Sequence, residues 1–328
     1  MNRKKVVVLL LIIALTGLFG VSQAGAATSC TFTITGSTMT LDGDCTTDST
    51  IAIPDGFTLD GAGNTITAVD PPADHFKGAV VANGGATAHV INLNVTVSGL
   101  ANVCDGGADR LRGIMFEGAS GSIKHSSVMG LNQGASGCQE GIAIEVRNAP
   151  FDGTHPNTQF VEIAHNELAD YQKTGIVANG DVNVDIHHND VGASATQANL
   201  AANSVQLGFG ATGSVQHNHI DGNQWMGTSN FAATAVLVYL ADDADVSLNN
   251  IRGNADIGIY FFANNGVVHN NRVFDEGADH PNSAYDYGIG DWGSGNSVTN
   301  NKVRGYDIPY DGVTDGNNKV IPGPQHSP

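Results

Sequence analysis

The sequence predicts an all-β chain wound as a single-stranded parallel solenoid, and two phrases repeated in phase along it carry that prediction. The first is a hexapeptide, apolar-x-x-Asn-x-apolar. It reads Ile163-Ala-His-Asn166-Glu-Leu168, Ile186-His-His-Asn189-Asp-Val191 and Val215-Gln-His-Asn218-His-Ile220. It continues as Val246-Ser-Leu-Asn249-Asn-Ile251, Val268-His-Asn-Asn271-Arg-Val273 and Val298-Thr-Asn-Asn301-Lys-Val303. Degenerate copies run from Ile123 to Val128, with Ser126 in the Asn slot, and from Val90 to Val95, with Leu93 there. Successive starts lie 22 to 40 residues apart, the range of solenoid repeats. The second phrase is a small residue followed by apolar-x-apolar: Gly113-Ile-Met-Phe116, Gly141-Ile-Ala-Ile144, Gly175-Ile-Val-Ala178, Ser204-Val-Gln-Leu207, Ala235-Val-Leu-Val238, Gly258-Ile-Tyr-Phe261 and Gly288-Ile-Gly-Asp291. In six of the seven it precedes the hexapeptide by 10 or 11 residues.

Both phrases alternate apolar and polar residues with period two, the pattern of strands buried on one face. Separated by Gly, Asn and Asp turns, one set per coil, such strands stack into a parallel β-solenoid with a rise of roughly 4.8 Å per coil. Asn suits a recurring corner because its amide tolerates left-handed backbone and bonds to nearby peptide groups. Stacked amides can also bond from coil to coil. The six Asn therefore read as a structural ladder.

In chain order, residues 1–27 read as a secretory signal peptide. Arg3, Lys4 and Lys5 precede a 14-residue apolar stretch, Val6 to Phe19, and small residues around Ala24 to Ala27 suit cleavage. That stretch is short for a membrane span, so the expected mature chain is secreted and extracellular, without a membrane anchor. Residues 28–55 read as an N-terminal cap shielding the first coil's strand edges, 56–306 as the solenoid, and 307–328 as a C-terminal tail.

The pattern resembles the right-handed parallel β-helix proteins of the pectate-lyase-like superfamily over about residues 55–305. Gly56-Phe-Thr-Leu-Asp60-Gly61-Ala-Gly63-Asn64-Thr-Ile66 is similar to an opening coil common there. The resemblance implies the fold and leaves the activity open. Gly-His-Gly and Arg-x-Pro-x-x-Arg signatures are absent, and Tyr287-Gly-Ile-Gly-Asp291 only partly resembles an alginate-epimerase motif, with an extra Gly and no Pro-His.

Removing residues 1–27 leaves 11 basic against 32 acidic residues. No basic patch is visible in the sequence, so nucleic-acid binding is disfavoured. Four cysteines in an exported chain suggest two disulfides, with three pairings possible. Cys30 with Cys45, closing the cap, and Cys104 with Cys138, tying loops before adjacent coils, is the favoured set.

Outward side chains of successive coils should stack into columns able to hold an extended polysaccharide. The position after each small-apolar-x-apolar phrase reads Glu117, Glu145, Asn179, Gly208, Tyr239, Phe262 and Trp292. The first three are oxygen ligands on adjacent coils, a candidate Ca²⁺ site. Tyr239, Tyr260, Phe262 and Trp292 form a candidate sugar-stacking strip; ordinary strand surface is the plain alternative. Calcium-dependent β-helix lyases of uronate polymers hold Ca²⁺ with an Asn and two Glu and use Lys and Arg for acid–base work. That resemblance implies Glu117, Glu145 and Asn179 as ligands and Arg147 as the arginine. The base is open among Lys173, His155 and Tyr171; Lys173 lies six residues before Asn179, up to roughly 20 Å if extended.

His125, His165, His188 and His217 share the third hexapeptide position. Such a column can ligate metal or simply stack as a cousin of the Asn ladder, and the lack of a recognisable carboxylate spacing favours the second reading. Insertions at Cys104 to Arg112, Pro150 to Asn157 (with Asp152 and His155), Asn223 to Ala233 and Asp275 to Asp286 should flank a groove. The expected function is a secreted polysaccharide-active enzyme, foremost a Ca²⁺-dependent uronate lyase acting by β-elimination. The alternatives are a non-catalytic glycan-binding or cell-surface β-helix, or a hydrolase or epimerase.

Overall fold

Period-two burial and short turns leave each coil one way to satisfy its backbone, which is to bond to the coils before and after it. The computed structural model describes residues 28–149, 159–197, 199–277, 284–314 and 316–323, and the chain does this throughout. Its strands fall into three sheets, one of ten strands (sheet I) and two of eleven (sheets II and III). One coil shows the order: Thr174–Gly180 lies in sheet I, Val182–His187 in sheet II and Asp190–Val191 in sheet III. Among the described residues all pairings between coils are parallel, and only Phe32–Thr35 runs antiparallel, against Thr38–Leu41.

The core is a set of apolar columns inside the three sheets. In sheet I, Ile114, Ile144, Ile176, Val205, Val236, Ile259 and Ile289 stand in register and are fully buried. The hexapeptide spans the corner from sheet II to sheet III, so its first and last residues supply the other two columns.

The small residue of the second phrase also has a packing role. A Cβ on Gly175, Gly258 or Gly288 would come within 2.8, 2.2 or 2.3 Å of Cγ1 of Val191, Val273 or Val303, the hexapeptide's last residue in the same coil. The two phrases keep phase because one leaves the space the other fills. Gly141 does not belong to this set. It is a turn residue at φ +74°, and the strand register pairs Ile144 with both Ile114 and Ile176. The phrase in that coil is therefore Ala143-Ile-Glu-Val146, two residues later than the sequence pattern suggests. Every outward residue assigned from Gly141 moves with it.

The Asn ladder is present. Asn Nδ2 donates to the next coil's Oδ1 from Asn166 to Asn189, Asn218, Asn249, Asn271 and Asn301 at 3.0–3.1 Å, and the ladder runs on to Asn318. Each of these Oδ1 atoms also accepts the backbone N–H of the preceding member at 2.9–3.0 Å. The left-handed residue is not the Asn, however, but the one before it: His165, His188, His217, Leu248, Asn270 and Asn300 have φ of 54° to 58°. The Asn is kept for its hydrogen bonds and its neighbour takes the turn.

The sheets begin earlier and end later than the sequence suggests. Thr38–Leu41, Cys45–Thr47 and Ile51–Ile53 already pair in parallel with the following coil, so the expected cap winds a coil of its own behind one antiparallel strand. Ile308–Asp311 and Lys319–Val320 extend sheets I and III into the tail. Cys30–Cys45 and Cys104–Cys138 are both disulfides, which fits an extracellular or periplasmic setting. Among the described residues no helix is long and apolar enough to cross a membrane.

Candidate functional site

The outer face of sheet I carries the candidate residues. Its register gives one column as Glu117, Arg147, Asn179, Gly208, Tyr239 and Phe262. Glu145 belongs to the neighbouring column, with Met115, Val177, Gln206, Leu237 and Tyr260. The expected row of Glu117, Glu145 and Asn179 is thus corrected to Glu117, Arg147 and Asn179. A slip of two residues preserves which side chains face outward, so alternation alone could not detect it.

The charges follow this register. Arg147 Nη2 donates to Glu117 Oε2 at 2.7 Å, and Arg112 Nε donates to Glu145 Oε2 in a buried pair. Both carboxylates are committed to arginines, and a guanidinium stands between Glu117 and Asn179. These residues do not fit a Ca²⁺ ligand set, and no chemistry below runs through the ion.

Arg112, Glu145, Arg147 and Asn179 line a cleft of about 300 Å³, together with Arg110, Lys173 and Phe209. Four of the chain's 14 basic residues meet there, on a molecule with a formal charge of −18. Its wall from 105 to 111 is fixed from beneath. Buried Glu140 accepts the N–H of Asp105 at 2.8 Å and of Leu111 at 2.9 Å, and Cys104–Cys138 closes the loop's start. The Arg112 guanidinium donates back to the carbonyls of Gly107, Ala108 and Arg110. Nε of Arg110 and Nε of Arg147 are buried without a hydrogen-bond partner, donors left over where buried groups are ordinarily satisfied.

Lys173 lines this cleft with Arg147 and Asn179, standing just before the extended strand Thr174–Gly180. Its Nζ donates to the Ala201 carbonyl. Desolvation, with a smaller push from the Arg110 guanidinium, lowers its pKa to about 8. An amine so placed is available as a base near neutral pH.

Of the other base candidates, Tyr171 is fully buried, bonded to Ser204 and Asn223, and burial raises its pKa far above the ordinary phenol value. It is a core residue, not a base. His155 and Asp152 lie outside the described residues. A hydrolase would need a pair of carboxylates, but Asp242 Oδ1 accepts the Asn264 N–H and Asp291 Oδ1 accepts from Asn296 Nδ2, both serving turns.

Beyond the cleft the columns turn aromatic. Tyr239 and Phe262 stack with centroids 5.5 Å apart, and Tyr260 meets Trp292 edge to face at 4.7 Å. Trp292 folds over Gly290, where a Cβ would lie 2.2 Å from the indole, so it joins the Tyr260 column. Its Nε1 donates to Asp311 Oδ2 at 2.7 Å. Arg147 and Phe262 stand four coils apart in one column, about 19 Å at the strand spacing. Of the sequence candidates the structure brings Arg147, Lys173, Asn179 and Glu145 to the cleft; Arg110 and Arg112, which line it too, were not among them. The faint signal for those two was Arg110-Leu-Arg112 at the mouth of a disulfide-closed loop.

This is a right-handed parallel β-helix protein with a cationic cleft on one face. Residues 112–303 match the family described as right handed beta helix region, and the chain belongs to that family. No curated protein matches it. Among solved structures it is similar to the Dettilon tailspike protein (12% identity, TM-score 0.47), covering 87% of this chain and 55% of the tailspike, so it spans about half of that protein. A mutant of the periplasmic alginate epimerase AlgG is similar at 13% identity and TM-score 0.49, over 81% of this chain and 68% of that one. The DFA-IIIase of Arthrobacter chlorophenolicus A6, in complex with GF2, follows at 14% and 0.45, over 86% and 80%. At these identities the likeness is one of fold.

Proposed function

We propose that this protein is exported and binds an acidic polysaccharide along the outer face of sheet I, and that it acts on the polymer by abstracting a proton beside a uronate carboxylate. The observation that carries this reading is an amine of lowered pKa, Lys173, set among three arginines in one cleft. The guanidinium groups of Arg110 and Arg147 at the cleft suit carboxylate oxygens. Neutralising that carboxylate acidifies the ring hydrogen next to it, the task otherwise given to a metal. Lys173 takes the proton from C5, the C4–O4 bond breaks as the C4–C5 double bond forms, and the new ammonium is the nearest proton source for the departing oxygen. The aromatic columns would carry neighbouring sugar rings.

Incubation with a panel of uronate polymers, followed by the ultraviolet absorbance of unsaturated ends, tests the reading. Product should form equally with and without chelator, and Lys173→Met should abolish it while sparing binding. Inverted C5 centres without new ends would indicate epimerisation through the same proton removal. Binding without either product would leave a glycan-binding β-helix, and no binding would remove the cleft from consideration.

A further inference from the structure

The corner between sheets II and III, on the side of the coil away from sheet I, holds a second cluster. His125, His165, His188 and His217 stack there with ring centroids 5.0 to 5.2 Å apart. The backbone requires a left-handed residue at this position but not a histidine, since Leu248, Asn270 and Asn300 adopt the same geometry in later coils. Four imidazoles in succession exceed what the turn needs. His187 then adds a fifth ring, edge-on to His165 and to His188.

We propose that His165, His187 and His188 bind a divalent late transition metal ion. Ligand nitrogens of these three lie within 4.8 Å of one another. His187 Nδ1 and His188 Nδ1 face each other at 2.9 Å, near the roughly 3.3 Å between two nitrogens on a tetrahedral Zn²⁺ with ordinary bond lengths. The other nitrogen of His187, Nε2, lies 3.3 Å from Glu162 Oε1, the outer carboxylate that commonly orients a metal-bound imidazole. Glu162 is itself held by Lys124 at 2.7 Å. Asp185 Oδ2 stands 3.8 Å from His187 Nε2. The cluster is open to solvent beside a hollow of about 550 Å³ lined also by Glu167 and Asp190, so a metal can enter and a water can complete its shell. An all-imidazole set selects Zn²⁺, Ni²⁺ or Cu²⁺ over Ca²⁺ or Mg²⁺. The site is separate from the cleft and independent of the reading given to it.

The test is calorimetric titration of tag-free protein with Zn²⁺, with Ca²⁺ as control. Variants compatible with the fold are supplied by neighbouring coils: His188→Asn places the Asn found at residues 270 and 300, and His187→Gln copies Gln216, its register partner. One equivalent of Zn²⁺ should bind, each variant should weaken binding about tenfold or more, and His217→Asn should leave it unchanged. Ca²⁺ should neither bind nor compete. Absence of saturable Zn²⁺ binding would overturn the proposal, as would binding that survives both His187→Gln and His188→Asn in folded protein. Equal loss in His217→Asn would overturn the three-residue assignment.

Discussion

Arg147 lies directly across from Glu117 on the next coil, and its Nη2 donates to the Glu117 carboxylate at 2.7 Å. The pair sits at the rim of the cleft, with Glu117 the more exposed partner at 38% against 10%. A rim carboxylate of this kind competes with an anionic ligand for the guanidinium. Glu117→Gln should therefore tighten binding of a uronate oligomer severalfold, in line with the ~0.2–1 kcal/mol of an exposed pair. Arg147→Ala should weaken it. Titration at low and moderate salt checks both, since added salt should erode the difference.

Lys173 predicts a pH profile. The amine is a base only when neutral, so turnover limited by it should rise with pH through about 8 and level off above. Lys173→Met should cost about 10²- to 10⁴-fold in rate. The stability consequence has a definite sign. The folded pKa is lowered, so between about 8 and the ordinary lysine value the unfolded chain binds a proton that the folded chain does not. On this account stability falls as pH drops through that window, and Lys173→Met should flatten the dependence in thermal melts.

The wall of the cleft should be separable from the solenoid. Glu140→Gln exchanges a charged acceptor of the Asp105 and Leu111 N–H groups for a neutral one. It should loosen the segment that positions Arg110 and Arg112, increasing hydrogen exchange at residues 105–111. Oligomer affinity should fall while the far-ultraviolet spectrum stays unchanged.

Asn218→Ala removes Nδ2 donors to Ile186 O, Gln216 O and Asn249 Oδ1, and the Oδ1 that accepts from Asn189. The expected loss is about 1–3 kcal/mol, the cost of unpaired buried peptide groups, read as a lower unfolding midpoint. An unchanged midpoint would count against the ladder.

The aromatic columns predict a dependence on ligand length. They lie several coils from the arginines, so Trp292→Ala or Tyr260→Ala should weaken long oligomers and leave the shortest bound species unaffected. Comparing affinities across a ladder of chain lengths measures this.

What the sequence revealed and what it hid both follow from the strand period. Inward residues repeat from coil to coil, so Ile114, Ile144 and Ile176 and the Asn ladder were legible, while both disulfides were legible from the cysteine count alone. Outward residues are known only once the register is known, and Gly141-Ile and Ala143-Ile satisfy the same small-apolar pattern two residues apart. That ambiguity placed Glu145 in the wrong column. What distinguishes them is pairing with the neighbouring coils, where Ile144 stands against both Ile114 and Ile176. Arg110 and Arg112 were hidden because loop carbonyls and Glu140, not local pattern, aim them. The left-handed corner was misassigned by one residue because Asn meets either requirement, the turn or the hydrogen bond.

The ladder from Asn166 to Asn318 also has a direction. From Asn166 to Asn301 each Nδ2 donates one hydrogen to the Oδ1 of the following coil and another back to a carbonyl of the preceding one. Each Oδ1 from Asn189 to Asn318 accepts from the preceding coil, so the amide dipoles add head to tail and polarise one another. The corner thus behaves as a thin electrical axis through an otherwise repetitive body, its negative end toward the early coils and its positive end toward the late ones. At the early end Asn166 Oδ1 accepts the Ser126 N–H, and at the late end Asn318 Nδ2 donates to Val298 O. Coils could be inserted or removed between those ends without disturbing the polarity, whereas reversing a single amide would set two acceptors against each other.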